Sequence, residues 1–164
     1  MVTRIASVNV SAAVTVMAPN SLGPAELLLH YGTAAQQQHC LPRLADGRDL
    51  PCFALTSPYA GSDAASIPDV GVLSSRQILG KTVRGFVCRF DKRYITLAPV
   101  ATVVGLAFHA VDPAQPEGQQ QLVITCALIP VPTPGMAIGR RHQPMNSAFM
   151  NGPVCGDEVF VPVD

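Results

Sequence analysis

Beyond residue 50 the sequence falls into seven short runs rich in Val, Ile, Phe and Thr, at residues 52–56, 72–79, 82–90, 93–98, 100–111, 122–129 and 154–161. β-Branched and aromatic side chains suit a pleated, half-buried surface, and the turn residues between the runs keep each one short. Such strands must bury their apolar faces on one another, which points to a mainly antiparallel β-barrel, or a sandwich, of about seven strands. Residues 112–121, DPAQPEGQQQ, read as a polar surface loop, because Pro113, Pro116 and Gly118 bar regular structure. Residues 130–135, PVPTPG, form a second connector.

Before residue 50 the pattern is helical. Ser21 is placed to cap a helix with Pro24 in its first turn, Leu27, Leu28 and Tyr31 as its apolar stripe and Gly32 at its end. Thr33 caps a second, short helix over residues 34–41, Pro42 breaks or restarts the turn, and Gly47 closes the last piece. The expected fold is therefore α+β, with two or three N-terminal helices over residues 1–50 followed by the β-barrel over residues 51–164.

With 164 residues the chain is long enough for one domain with a real core. Its formal net charge is zero, so it carries no electrostatic footprint for nucleic acid or anionic lipid. The largest basic cluster, Arg140, Arg141 and His142, reads as a solvated turn. The four histidines lack metal-ligand spacing, and no metal site is expected. Five cysteines without a C-x-x-C read as free thiols in a reducing cytoplasm, with Cys52, Cys88 and Cys126 buried as small hydrophobes. Residues 1–18 resemble a secretory signal only superficially, since Asn9, Ser11 and Thr15 interrupt the apolar run, and no stretch approaches the length of a membrane span.

The segment FALTSPYAGSD, residues 53–63, stops a strand at Thr56, turns through Pro58 and reaches Gly61. Successive backbone N–H groups beside a glycine can grip an anion. It is neither a P-loop nor a dinucleotide fingerprint, and by chemistry alone it reads as an ordinary strand-to-turn junction in which Ser62 or Asp63 satisfies its own backbone.

The order of motifs changes that reading. PNSLGPAELLLHYGT, QHCLPRLADG, FALTSPYAGSD, KRYIT, TPGMAIGRRH and VFVPVD follow one another in a sequence and spacing that resemble the acyl-CoA dehydrogenase family, in particular the large bacterial enzyme of fatty-acid β-oxidation. The resemblance implies the last helices of an N-terminal helical domain, with residues 1–18 as a buried helix, followed by the middle β-barrel domain. It implies a fragment, because the family's C-terminal helical domain has no counterpart here. The implied activity is α,β-dehydrogenation of a fatty acyl-CoA with FAD as cofactor; the implied full-length protein is a homo-oligomer in the bacterial cytoplasm with room for membrane association, and its electron acceptor is left open.

Residue by residue, the resemblance puts Phe53, Leu55 and Thr56 at the isoalloxazine ring and Gly61 and Ser62 near the pyrophosphate, with Ser62 also approaching the CoA. Tyr94 flanks the flavin, beside Ile95, and Thr96 hydrogen-bonds near N5. On spacing alone Phe53 and Ile95 read as core and Tyr94 as a cross-strand aromatic. No catalytic residue is assigned: Asp63 orders its loop, and Asp157 and Glu158 read as exposed turn charges. Three positions depart from the family pattern: Ser57 stands where an acid is common, Tyr94 replaces tryptophan, and residues 140–153 differ from the usual run while suiting the large bacterial type. A related acyl-CoA oxidase or flavin monooxygenase, and a non-catalytic β-barrel binding module, remain as alternatives.

Overall fold

A computed structural model describes residues 1–17, 23–116 and 123–163. Ser21 and the end of the 112–121 loop lie outside the described residues. Four helices come first: α1 (Val2–Ala6), α2 (Val10–Met17), α3 (Gly23–Tyr31) and α4 (Ala34–Ala45). The stretch expected as one buried helix is instead two short ones, and Ala13 is the only buried residue in either. Asn9 divides them. Its side-chain oxygen accepts from the Ala12 N–H at 2.9 Å, so it caps α2 rather than continuing α1.

Thr33 caps α4 with a reciprocal bond pair to Gln36, at 3.2 and 3.0 Å. Pro42 does not break α4, which runs on to Ala45. A proline in the last turn removes one bond, to the carbonyl of the exposed Gln38, and the Asp46 N–H still reaches the Pro42 carbonyl at 3.1 Å. Arg43 clamps the helix end to Asp49, with Nε 2.6 Å from the carboxylate.

The strands are β1 (Pro51–Ala54), β2 (Val70–Ile78), β3 (Lys81–Thr96), β4 (Val103–Val111), β5 (Val123–Pro130), β6 (Met136–Ile138) and β7 (Asn151–Pro162). They form one curled sheet, a half-barrel. β1 and β2 share one edge of β4, both parallel to it, while β5 runs antiparallel along the other edge. From β2 the sheet continues antiparallel through β3, β7 and β6. Two expected strands, 82–90 and 93–98, are one 16-residue strand, because a bulge in β7 opposite Arg89 and a bulge in β3 between Lys92 and Ile95 let the pair bend without ending its pairing. The bend takes up what the sequence pattern suggests is a turn. β6 was not expected; it is three residues long, inside a Pro- and Gly-rich stretch.

The inner face holds the core: Cys52 and Ala54 from β1, Val104, Leu106 and Phe108 from β4, Cys88 and Phe90 from β3, and Val154, Val159 and Val161 from β7. Phe86 meets Phe108 edge-on at 5.4 Å between ring centroids. The opposite face of β4 receives α3. A side chain at Gly105 would meet the Pro24 ring at 2.8 Å, so the helix lies this close only because Gly105 carries none. Cys126, expected in the core, is exposed, because among the described residues β5 pairs with β4 alone and Cys126 opens onto the cleft beside it. Asp157 and Glu158, expected in a turn, lie within β7 at its bulge and share Arg89, at 3.1 and 2.9 Å.

One charged pair sits inside this apolar frame. Lys92 is wholly buried, its ammonium 2.5 Å from the equally buried Asp69 carboxylate and 2.9 Å from the Leu55 carbonyl. Asp69 also accepts from the Asp91 N–H at 2.9 Å through its side chain, and from the His109 N–H at 2.8 Å through its carbonyl. Burial pushes the Lys92 pKa below its ordinary value, and the hydrogen bond and charge of Asp69 oppose the shift.

Replacing Asp69 with Ala leaves a buried ammonium without its counter-charge, and urea denaturation should show a loss of about 3–5 kcal/mol. The double variant Asp69→Leu/Lys92→Met should recover most of that loss; equal damage in both would show that the pair itself is not what matters. Burial also raises the Cys52 and Cys88 thiols to about 12 from an ordinary 9.0. Because their folded pKa is raised, their contribution to stability is complete below pH 9 and is lost as pH rises toward 12, at up to roughly 2–3 kcal/mol per pH unit for the two together. A thiol reagent at pH 8 should label the exposed Cys126 and Cys155 in the native chain and reach Cys52 and Cys88 only on unfolding.

Candidate functional site

The two motifs singled out in the sequence meet where β1 ends. The Arg93 N–H donates to the Thr56 carbonyl at 3.0 Å, and the Lys92 ammonium donates to the Leu55 carbonyl at 2.9 Å. Thus residues 53–56 and 92–96 lie edge to edge, although more than thirty residues of chain separate them. The loop beyond Thr56 is held to the sheet as well. Ser57 and Ala60 exchange backbone bonds at 3.1 and 3.4 Å, Ala60 and Ile67 pack on Ala107, and the His109 imidazole lies 3.2 Å from the Ala65 carbonyl.

The candidate residues do not share one environment. Phe53 is half-buried and faces α3, where a Cβ on Gly23 would come within 3.1 Å of its ring. Leu55 and Thr56 are half-buried beside Lys92 and Arg93. Gly61 and Ser62 are exposed; nothing lies within 4 Å of a Cβ built on Gly61, and neither backbone N–H has an acceptor among the described residues. Asp63 is turned into its own loop, bonded to the Ser66 hydroxyl and, through its carbonyl, to the Ser66 N–H at 3.2 Å. Ser57, at the position where an acid is common, is 4% exposed and its hydroxyl has no partner among the described residues.

On the β3 side the second bulge sets the geometry. Lys92 pairs with Val154 and Ile95 with Gly152, so two residues, Arg93 and Tyr94, oppose the single Pro153. Tyr94 takes φ 59, a left-handed conformation uncommon for a bulky side chain. The bulge aims it outward: Tyr94 is 62% exposed, while Ile95 and Thr96 are buried. Its ring lies 5.2 Å from the His142 ring, tilted by 50°. His142 is therefore not part of a solvated turn, whereas Arg140 and Arg141 are exposed.

Asn151 closes this side. It is 3% exposed, and its amide nitrogen donates to the Tyr94 carbonyl at 2.9 Å and reaches the Thr96 hydroxyl at 3.4 Å. Its position within MNGP reads as a turn, so nothing in the local sequence marks it. Lys92 was legible in principle, since Cys88, Phe90 and Lys92 alternate on the inward face of β3.

An apolar cleft of about 620 Å³ lies between α3, α4 and the β4–β5 edge, lined by Leu27, Leu28, Phe108 and Leu128 among others. Of the candidate residues only Phe53 borders it, so the cleft and the paired motifs are separate features. No cluster of His, Cys, Asp or Glu among the described residues could hold a metal, and no described helix is long and apolar enough to cross a membrane.

Exposed Tyr94 and the exposed Gly61–Ser62 amides thus flank the paired segments, while the Thr96 hydroxyl is buried. Replacing Tyr94 with Gly relieves the left-handed strain at little packing cost and should raise stability by about 1 kcal/mol in urea denaturation. A loss of that size instead would show that the stack on His142 outweighs the strain.

Residues 1–48 match the model of the acyl-CoA dehydrogenase N-terminal domain. The chain is 30% identical over 124 residues to acryloyl-CoA reductase (NADH) of Anaerotignum propionicum, covering 75% of this chain and 28% of that protein. It is 49% identical over 61 residues to the mitochondrial very long-chain specific acyl-CoA dehydrogenase of Rattus norvegicus, covering 37% of this chain and 9% of that one. A 41-residue stretch is 61% identical to Protein HemX of Proteus mirabilis, covering 25% of this chain and 24% of that protein. Among solved structures, butyryl-CoA dehydrogenase from Megasphaera elsdenii superposes with a TM-score of 0.77 at 25% identity, over 98% of this chain and 39% of that one. The chain thus spans less than a third of the length of these curated relatives.

Proposed function

Since the chain belongs to the acyl-CoA dehydrogenase family, we propose that it forms one wall of an FAD site in an enzyme that dehydrogenates a fatty acyl-CoA to the 2-enoyl-CoA. The observation that carries this reading is the joining of residues 53–56 to residues 92–96 by the Thr56–Arg93 and Leu55–Lys92 bonds. It brings the two motifs side by side although more than thirty residues of chain separate them.

The residues present fit the cofactor. Gly61 leaves open space beside two amides without acceptors among the described residues, which would suit a pyrophosphate, and the exposed Ser62 hydroxyl would serve the CoA. Phe53, Leu55, Thr56, Tyr94 and Ile95 would hold the isoalloxazine side of the cofactor, Ile95 from its buried position. Thr96 would offer its hydroxyl to the flavin near N5. When bound, FAD supplies the acceptor for the β-hydrogen of the thioester as hydride. The chain's own residues would orient the cofactor and exclude water; no base is assigned among the described residues. Asp63 is bonded to Ser66, and Asp157 and Glu158 are exposed and paired with Arg89. In this reading residues 1–50 are the end of the N-terminal helical domain and residues 51–164 the middle β-domain.

Expressed as the longest open reading frame that carries these 164 residues, the protein should bind FAD, and a fatty acyl-CoA should bleach the flavin absorbance. The 164 residues alone should bind FAD weakly and show no turnover, because one wall cannot desolvate a dinucleotide. Thr96→Val should weaken FAD binding by about 10-fold, the worth of one well-placed hydrogen bond. Absence of FAD binding in the long form, measured by flavin fluorescence, would overturn the proposal.

A further inference from the structure

Asn151, His142 and Thr96 form a chain of hydrogen bonds whose direction is set by one backbone atom. The Tyr94 carbonyl can only accept, so the Asn151 group 2.9 Å from it is the amide nitrogen. That orientation leaves Oδ1 toward His142, whose Nδ1 lies 3.2 Å away and must therefore carry a proton. The same amide nitrogen reaches the Thr96 hydroxyl oxygen at 3.4 Å. Thr96 thus receives a hydrogen bond on its oxygen, which leaves its own O–H available as a donor. Backbone bonds support the arrangement: the His142 N–H donates to the Asn151 carbonyl at 2.7 Å, and the Leu97 N–H to the Met150 carbonyl at 2.9 Å.

Resting on the flavin reading above, we propose that Asn151 is a positioning residue for that site, acting through Thr96 and the Tyr94 backbone, and that His142 fixes the orientation of the Asn151 amide. The clasp does two things. It holds Tyr94 in its left-handed conformation by engaging its carbonyl, and it commits Thr96 to donating toward the ring edge rather than accepting from it. Asn151 itself, at 3% exposure, does not touch the ligand. His142 also packs on Tyr94 at 5.2 Å, so the ring that orients the amide also backs the aromatic wall.

The test compares N151A, N151D and H142A in the longest open reading frame. Without flavin, nitrogen NMR of the His142 ring should show a protonated Nδ1 in the unaltered protein and its loss of preference in N151A. With FAD, N151A and N151D should bind about 10-fold more weakly, with a changed fine structure of the visible flavin band, and H142A about 2–3-fold more weakly. N151D is the sharper variant, because its carboxylate can still accept from His142 but cannot donate to the Tyr94 carbonyl. In combination with T96V, N151A should cost little beyond T96V alone. Should the unaltered protein bind FAD while N151A and N151D bind it equally well with an unchanged spectrum, the proposal falls and the flavin reading stands. An unaltered protein that binds no FAD overturns both. H142A, changed at a half-buried site, guards against misfolding of the Asn151 variants: unaltered FAD affinity and spectrum in H142A would overturn the role given to His142.

Discussion

The buried contact between Lys92 and Asp69 is the point on which the architecture around the site depends. A single ammonium, fully removed from water, is satisfied by the carboxylate of Asp69, the residue just before β2, and by the Leu55 carbonyl just after β1. Asp69 in turn engages β3 through the Asp91 N–H and β4 through the His109 N–H. Two strands, β3 and β4, and both ends of the connection between β1 and β2 are thereby referred to one pair of charges. Desolvation makes such a pair a poor source of net stability, but a shifted register would leave either charge alone in an apolar interior, at a cost of several kcal/mol. The pair therefore acts against alternatives more than it adds to the native state.

The site follows from that registration. Once Lys92 is held inward, the bulge after it must place an extra residue outside the ladder, and Tyr94 is the residue turned out. A left-handed tyrosine is strained, and persists because Asn151 takes its carbonyl and Thr96 and Ile95 are locked in the core behind it. Opposite, the Leu55 carbonyl that binds Lys92 fixes where the 57–67 loop begins. Both halves of the candidate flavin edge are thus placed by the same ammonium, one through its main chain and the other through its acceptor.

Much of the fold could be read along the chain. The Val-, Ile- and Phe-rich runs mark six of the seven strands, and the Thr33–Gln36 spacing marks the start of α4. Where reading failed, the causes were physical. Bulges let β3 bend through what resembles a turn, a proline in a last turn costs little, and β6 is too short to show a period. Cys126 looks like core by its neighbours, yet an edge strand leaves it exposed. Of the site, the two motifs were legible, and so was the inward period of Lys92. Asn151 was not, because a polar residue in MNGP carries no local sign of burial.

By itself the sequence determined the α+β order, the strand-forming segments and the two motifs that resemble a flavin cradle. These depend on side-chain shape, turn chemistry and short periodicity, all of which act over a few residues. Tertiary structure alone decided that Lys92 meets Asp69 across 23 residues and that Asn151 meets Thr96 across 55. Such pairs depend on sheet register and on where bulges fall. A one-residue slip would turn every side chain of a strand to the other face, and no local pattern records which slip the whole core forbids.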